Sequence, residues 1–265
     1  MRANETQRSV NLGGIVPFST IDWRGKAAMV IFLRRCPFRC VYCQNYTLLE
    51  GDNYVAMSEL EETIRKNEAL IDAVVLSGGE PFMQPEAVAA ISNYAKKRSL
   101  LAAVQTNGFY PGVIEALLKE KRIDKIILDI KAPLHDEKRY AKLTNASNAA
   151  ERVRATLHVC VTAKNDLELV TTVFKHIAGA DEVKRIAKEL EAAGAAHCPY
   201  VIQQGRAELV PDNAIKEADV FSREELKELA ARAYHAAALK DVRIRTRENG
   251  EEVMYRRNGN GKRFY

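Results

Sequence analysis

The chain has 265 residues, 47% of them hydrophobic and 28% charged, with a formal net charge of +5 at neutral pH. That is the balance of a soluble globular protein long enough to bury a sizeable core without disulfide staples. No apolar run is long enough to cross a bilayer. The start, Met1-Arg2-Ala3-Asn4-Glu5, carries no apolar signal core, so cytoplasmic residence is expected. The positive charge is compatible with a nucleic-acid or phosphate-bearing partner, but a dispersed lysine-rich surface gives the same figure and is the favoured reading.

Residues 1–25 form a turn-rich lead-in containing Gly13-Gly14, Pro17 and Trp23-Arg24-Gly25. The apolar run Ala27 to Leu33 reads as a buried strand. It leads into Cys36-Pro37-Phe38-Arg39-Cys40-Val41-Tyr42-Cys43, and the next cysteine is Cys160. A clustered trio in a chain without a secretory signal points to metal or iron–sulfur ligation rather than to disulfides. Three thiolates leave one iron of a four-iron cube without a protein ligand, free to bind a small molecule. A structural zinc site is the alternative, but it needs a fourth ligand, and the nearest histidine in sequence is His135.

Ser58 to Leu70 reads as a helix, with Ser58 as N-cap and Glu61 completing a capping box. Ile71 to Leu76 is a short parallel strand ending in Ser77-Gly78-Gly79-Glu80-Pro81. A helix from Pro85 to Lys97 precedes the strand Leu100 to Val104, which ends in Gln105-Thr106-Asn107-Gly108. Pro111 to Lys121 is helical, and the strand Lys125 to Leu128 ends in Asp129-Ile130-Lys131. A short helix spans Asp136 to Leu143. Arg152 to Val161 alternates and predicts a fifth strand, followed by helix over Asp166 to His176 and over Asp181 to Ala193. Ala195 to Gln203 predicts a sixth strand, and Ser222 to Leu239 a long final helix. The tail, 241–265, predicts a β-hairpin around Asn249-Gly250 with arginines on one face. It is expected to pair with the lead-in and close the sheet. Its basic ribbon suits either RNA phosphates or a solvated edge.

Strands and helices alternating at this rhythm predict one α/β domain over 1–265, a partial (β/α)6 TIM-like barrel, with a doubly wound open sheet as the alternative. Such barrels place their chemistry at the C-terminal ends of the strands. The cysteine loop, Gly-Gly-Glu-Pro, Gln-Thr-Asn-Gly and Asp-Ile-Lys each fall where a strand runs out, so all four converge on one rim. Gly78 and Gly79 permit close backbone approach to a ligand, or make an ordinary turn. They do not match the dinucleotide fingerprint. Asp129 and Lys131, two apart on an extended segment, point to one side. Buried without a ligand they would be poorly compensated, whereas at a strand terminus they would be a solvated pair. Thr162, Lys164, Gln203 and Arg206 are further rim candidates. Cys160 and Cys198 read as packed small hydrophobes.

Cys-x-x-x-Cys-x-x-Cys with Tyr42 before its last cysteine resembles the signature of the radical S-adenosylmethionine enzymes. The resemblance implies that Cys36, Cys40 and Cys43 hold a [4Fe-4S] cluster whose fourth iron chelates S-adenosylmethionine. Reductive cleavage then yields a 5′-deoxyadenosyl radical that abstracts a hydrogen atom, an oxidoreductase chemistry. It implies Tyr42 beside the adenine and Gly78, Gly79 and Glu80 at the amino group. Thr106 and Asn107 are implied to lie near the cofactor, and Asp129 and Lys131 to meet the nucleoside and its carboxylate. The lead-in, Gly14 through Lys26 with its Pro17-Phe18-Ser19-Thr20-Ile21-Asp22 phrase, is similar to that of glycyl-radical-enzyme activating proteins, above all the anaerobic ribonucleoside-triphosphate reductase type. A glycyl-radical partner and a flavodoxin- or ferredoxin-like electron donor follow from that likeness. The stretch from Gln44 to Leu76 has no cysteine, unlike activases with a ferredoxin-like insert. A small molecule or an RNA nucleotide is the alternative substrate. An iron–sulfur electron-transfer module would leave the Gly-Gly-Glu and Asp-x-Lys motifs without a purpose.

Overall fold

The computed structural model describes residues 9–211 and 215–257, so the ends of the lead-in and of the tail lie outside the described residues. One mixed sheet carries ten strands in the order β10-β9-β8-β7-β6-β5-β4-β2-β1-β3. Its body is seven parallel strands: β2 (Ala28–Leu33), β4 (Ala73–Gly78), β5 (Leu101–Thr106), β6 (Lys125–Asp129), β7 (Asp166–Val173), β8 (Pro199–Gln204) and β9 (Asp241–Thr246). Antiparallel strands flank it: β1 (Ser9–Ser19) and β3 (Tyr54–Ala56) at one margin, β10 (Gly250–Arg256) at the other. Helices α1 (Met57–Asn67), α2 (Pro85–Lys97), α3 (Pro111–Lys119), α4 (Glu137–Thr144), α5 (Ala149–Ala163), α6 (Ala180–Ala192) and α7 (Arg223–Ala236) fill the crossovers. Six βα units precede β9, the partial barrel that the alternation predicts.

Period-two alternation sorts each strand's side chains between two environments. Val74 and Leu76 of β4, Ile126 and Leu128 of β6, and Val242 and Ile244 of β9 join the main core under the helices. The concave face differs from one side to the other. Ala28, Val30, Ala73, Val75 and Ala103 pack there against Trp23, which enters from the loop after β1. Across the lumen stand charged side chains. Lys125 Nζ lies 5.6 Å from the centroid of the Trp23 ring. It also pairs with Glu168 at 2.7 Å, and Arg245 meets Glu168 at 2.7 Å and Glu251 at 2.6 Å. Arg243 continues the chain of ion pairs to Glu251 at 2.7 Å and Asp241 at 2.6 Å.

Four expectations change. Residues 152–161 lie within helix α5: the buried set Ala149, Ala150, Val153, Thr156, Leu157 and Cys160 has helical spacing, and β-branched content masked it. The fifth parallel strand is instead β7, over the segment expected to be helical. The helix α1 starts at Met57, so its capping carboxylate is Glu59, which accepts from the Ala56 amide at 3.4 Å, and not the Ser58–Glu61 box. The C-terminal hairpin forms as predicted, but β9 pairs with β8 and not with the lead-in, so the sheet stays unclosed. Curvature nonetheless brings Arg24, after β1, within 3.8 Å of Glu251 on β10.

Glu168 is the anion shared by two buried cations. Glu168→Ala leaves Lys125 and half of the Arg245 charge uncompensated, so urea unfolding should show a loss of about 3–5 kcal/mol.

Candidate active site

The loop after β2 is the entry to the site, and neighbouring backbone holds it on the rim. Gly79 N donates to Leu33 O at 2.8 Å, Glu80 N to Arg35 O at 2.8 Å, and Asn45 Nδ2 to Gly78 O at 2.9 Å. On the far side, Arg39 N and Val41 N donate to Thr144 O and Leu143 O at the end of α4. Glycine is required here by the protein's own backbone. A Cβ on Gly79 would sit 2.1 Å from Arg35 O, and one on Gly78, whose φ is +117°, would sit 2.3 Å from Leu33 O.

Cys36, Cys40 and Cys43 line one cavity together with Tyr42, Gly78, Gly79, Thr106, Asn107, Asp129 and Lys131. Four strand ends separated in sequence by up to about a hundred residues thus meet, as the rim rule requires. Glu80 is the exception among the candidate residues. It is fully buried behind the cavity wall, where its carboxylate accepts from Phe82 N at 3.0 Å, Asn107 N at 2.8 Å and Thr106 Oγ1 at 2.8 Å. It latches the end of β4 to the end of β5. Burial pushes its pKa up to about 7, against the pull of those donors.

The thiols suit a multi-iron group. All three are free and half-buried, and no three His, Cys, Asp or Glu side chains among the described residues converge as a single metal ion requires. The thiols ring a cavity instead. Cys36 Sγ already receives donors, Asn107 Nδ2 and Phe38 N, each at 3.4 Å, of the kind that orient and tune a ligating sulfur. Burial pushes the Cys36 thiol up to about 12 and the Cys40 thiol up to about 11, so loading of iron must release protons.

The opposite wall suits a zwitterionic nucleoside. Lys131 Nζ meets Asp129 Oδ2 at 2.6 Å and lies 5.5 Å from the centroid of the Tyr42 ring. Burial would lower the lysine's pKa, but Asp129, with Cys40 and Tyr42, outweighs it and holds the ammonium above its ordinary range. Asp129 Oδ1 and the Tyr42 hydroxyl are enclosed without partners. A buried acceptor left unpaired beside an ammonium can take a hydroxyl donor and a carboxylate from one ligand.

Of the other rim candidates, Gln203 lines the cavity. Arg206 does not, pairing with Glu208 at 3.0 Å in an exposed loop. Thr162 and Lys164 stand at the C-terminal end of α5, which runs antiparallel to the strands and so delivers them to the opposite rim; the missed helix is the cause. Thr172 and Arg245 line the cavity and were not singled out in sequence. Outward-facing Val242 and Ile244 were the available signal, since they turn Arg243 and Arg245 toward the lumen.

Comparison with known proteins agrees with this geometry. The family model of the Radical SAM superfamily matches residues 30–190. A Methanocaldococcus jannaschii protein named for glycyl-radical enzyme activation is 32% identical over 82% of this chain and 89% of its own length. The pyruvate formate-lyase-activating enzyme of Clostridium pasteurianum is 32% identical over 38% of this chain and 44% of its own. Among solved structures, a radical SAM methyltransferase from Sphaerobacter thermophilus superposes with a TM-score of 0.66 at 14% identity, covering 86% of this chain and 68% of that one. The chain belongs to the radical SAM superfamily, whose members are enzymes using a [4Fe-4S] cluster and S-adenosylmethionine. No helix among the described residues is long and apolar enough to cross a membrane.

Two measurements probe the rim. Gly79→Ala should fold but lose the iron–sulfur absorbance and the iron bound per chain, because Arg35 and the loop behind it must move. Glu80 predicts a pH effect on the metal-free protein. The folded state holds this proton more tightly than the unfolded chain does. The resulting stability is fully present below pH 4.5 and is lost as pH rises through about 7. Urea midpoints should fall across that window, and Glu80→Gln should flatten the fall.

Proposed function

We propose that this protein activates a glycyl-radical enzyme by abstracting an α-hydrogen from one of its glycines, the target being an anaerobic ribonucleotide reductase. The observation that carries this reading is the relative named for such activation, which matches along nearly its whole length. The Pro17-Phe18-Ser19-Thr20-Ile21-Asp22 phrase of the lead-in supports it, as do large apolar side chains, Val41 and Tyr46, exposed on and beside the cysteine loop where a protein partner would meet the site.

Cys36, Cys40 and Cys43 are the ligands of the cluster in this reading, and Asn107 steadies the Cys36 sulfur. The cluster and S-adenosylmethionine, when bound, supply a 5′-deoxyadenosyl radical. The chain's own side chains make that delivery specific. Lys131 meets the methionine carboxylate of the cofactor, and Asp129 accepts from the ribose hydroxyls through the oxygen now without a donor. Gly78 and Gly79 present backbone carbonyls to the amino group, while Thr106 and Asn107 line the adjoining wall. Tyr42 packs its ring against Phe174, at 5.9 Å between centroids, and under Lys131, closing the cavity to water on the adenine side. Glu80 holds these rims in register without touching the ligand. Holding both reactants still in a small dry cavity is what turns a diffusible radical into a directed one. A flavodoxin- or ferredoxin-like protein of the cytoplasm is the electron donor that such an activase needs.

Incubation of the anaerobically loaded protein with S-adenosylmethionine, a reductant and an anaerobic ribonucleotide reductase should give a glycyl-radical EPR doublet with unlabelled glycine, and with α-deuterated glycine the collapse of that doublet together with deuterium in the 5′-deoxyadenosine formed. Formation of 5′-deoxyadenosine with deuterium taken from a labelled nucleotide or RNA instead, and no doublet, would replace this reading.

A further inference from the structure

The cofactor motifs occupy the ends of β2, β4, β5 and β6, and leave unused the wall built by the next three parallel strands. Thr172 of β7, Gln203 of β8 and Arg245 of β9 line the same cavity there, above Ile127 and Val170. Gln203 Nε2 donates to Thr172 Oγ1 at 3.3 Å, and Gln203 Oε1 accepts from Arg245 Nη1 at 3.0 Å. Arg245 Nη2 is taken by Glu168 and Glu251, at 2.7 and 2.6 Å. A guanidinium offers five N–H donors. Three are used, which leaves the second hydrogen of Nη1 and that of Nε, an atom enclosed without any acceptor.

Two physical constraints narrow what this wall can hold. First, Arg245 belongs to a network in which Lys125, Arg243 and Arg245 are matched by Glu168, Glu251 and Asp241, so a phosphate arriving at the same place would meet those carboxylates as well as the guanidinium. A neutral acceptor meets only unused donors. Second, the wall carries no aromatic ring: Ile127, Val170, Thr172, Gln203 and Arg245 give a nucleobase a single guanidinium and no aromatic face to stack upon, and aromatic stacking is the usual means of holding one. A peptide backbone fits both constraints, because its carbonyl is a neutral acceptor and glycine brings no side chain that needs a pocket.

We propose that Arg245, steadied by Gln203, binds a backbone carbonyl oxygen of the target segment next to the reacting glycine and thereby selects a peptide over a nucleotide. This rests on the activase reading and names the residue by which that activity would recognise its substrate. The carbonyl anchors the segment at the floor of the lumen, and the Cα–H bond is presented toward the cofactor side. Arg245 takes no proton or electron in the reaction. Its role is to bind and aim.

The test is the coupling ratio: deuterium transferred from α-deuterated glycine of the reductase for each 5′-deoxyadenosine formed. Arg245→Lys keeps a cation between Glu168 and Glu251 and removes the unused guanidinium donors. The ratio should fall about tenfold, and the KM for the reductase should rise, as expected for loss of one buried hydrogen bond to a charged donor. Gln203→Leu leaves the ion pairs with Glu168 and Glu251 in place and should lower the ratio in the same direction, which guards against a folding defect in the first variant. If Arg245 only supports the fold, 5′-deoxyadenosine and glycyl radical fall together and the ratio holds at the wild-type value in both variants, which overturns the proposal. Should the wild-type protein give no deuterium transfer from glycine and accept it from a labelled ribonucleotide instead, the activase reading falls first and this one with it.

Discussion

The contact on which the site depends is the one between the backbone of Gly78-Gly79 and that of Leu33 to Arg35. There the chain leaving β4 lies so close to the chain leaving β2 that no side chain fits between them. Hydrogen bonds from Gly79 and Glu80 continue the parallel pairing of the two strands past their ends and into the cysteine loop. The loop therefore inherits the rigidity of the sheet, which is what three thiols must have if they are to present one iron-sulfur group in a single orientation. Glu80 extends the same constraint by one more strand. Its carboxylate binds the Thr106 hydroxyl and the Asn107 amide, and Asn107 in turn reaches the Cys36 sulfur. A motif that reads as a ligand site in sequence is, at its third residue, the latch that aligns two rims.

The concave face is divided in the same spirit. Along β2, β4 and β5 it is filled with alanine, valine and one tryptophan. On the other side it holds buried ion pairs, which carry no stability advantage over apolar packing and are destabilising if broken singly. Their arrangement has a positional consequence. Glu168 and Glu251 grip one nitrogen of Arg245 and so fix the direction in which its remaining donors point.

Much of this was legible in the chain. The cysteine spacing, the four polar clusters at strand ends and the alternating rhythm suffice for the class of fold and for the strand ends that meet at the cavity, because each is a local pattern with a physical reason. The fifth unit was not. Arg152 to Val161 carries enough β-branched residues to imitate a strand, while the burial of Val153, Leu157 and Cys160 on one helical face emerges only from packing against neighbouring elements. That error carried Thr162 and Lys164 to the wrong rim. Arg245 escaped notice for a different reason: an arginine in a terminal hairpin reads as a solvated edge, and only the curl of the sheet brings it into the lumen. Likewise, nothing local says that Glu80 is buried behind the cavity wall, since its three partners come from a second strand and a following turn.

Sequence likeness and structure divide along the same line. The superfamily match covers residues 30–190, which runs from within β2 through β7, takes in the four polar clusters at the ends of β2, β4, β5 and β6, and stops before β8 and β9. Cofactor chemistry is common to the superfamily, so the residues that hold the cofactor are those a family model can capture. The wall formed by Gln203 and Arg245 lies beyond it, in strands whose parallel pairing continues the sheet. A barrel built in this order separates two tasks physically. In the proposed activity, strands near the N-terminus fix where the radical arises, and those near the C-terminus shape what lies within its reach. Because both groups share one hydrogen-bonded sheet, inward side chains on β7 to β9 can differ without moving the cysteine loop.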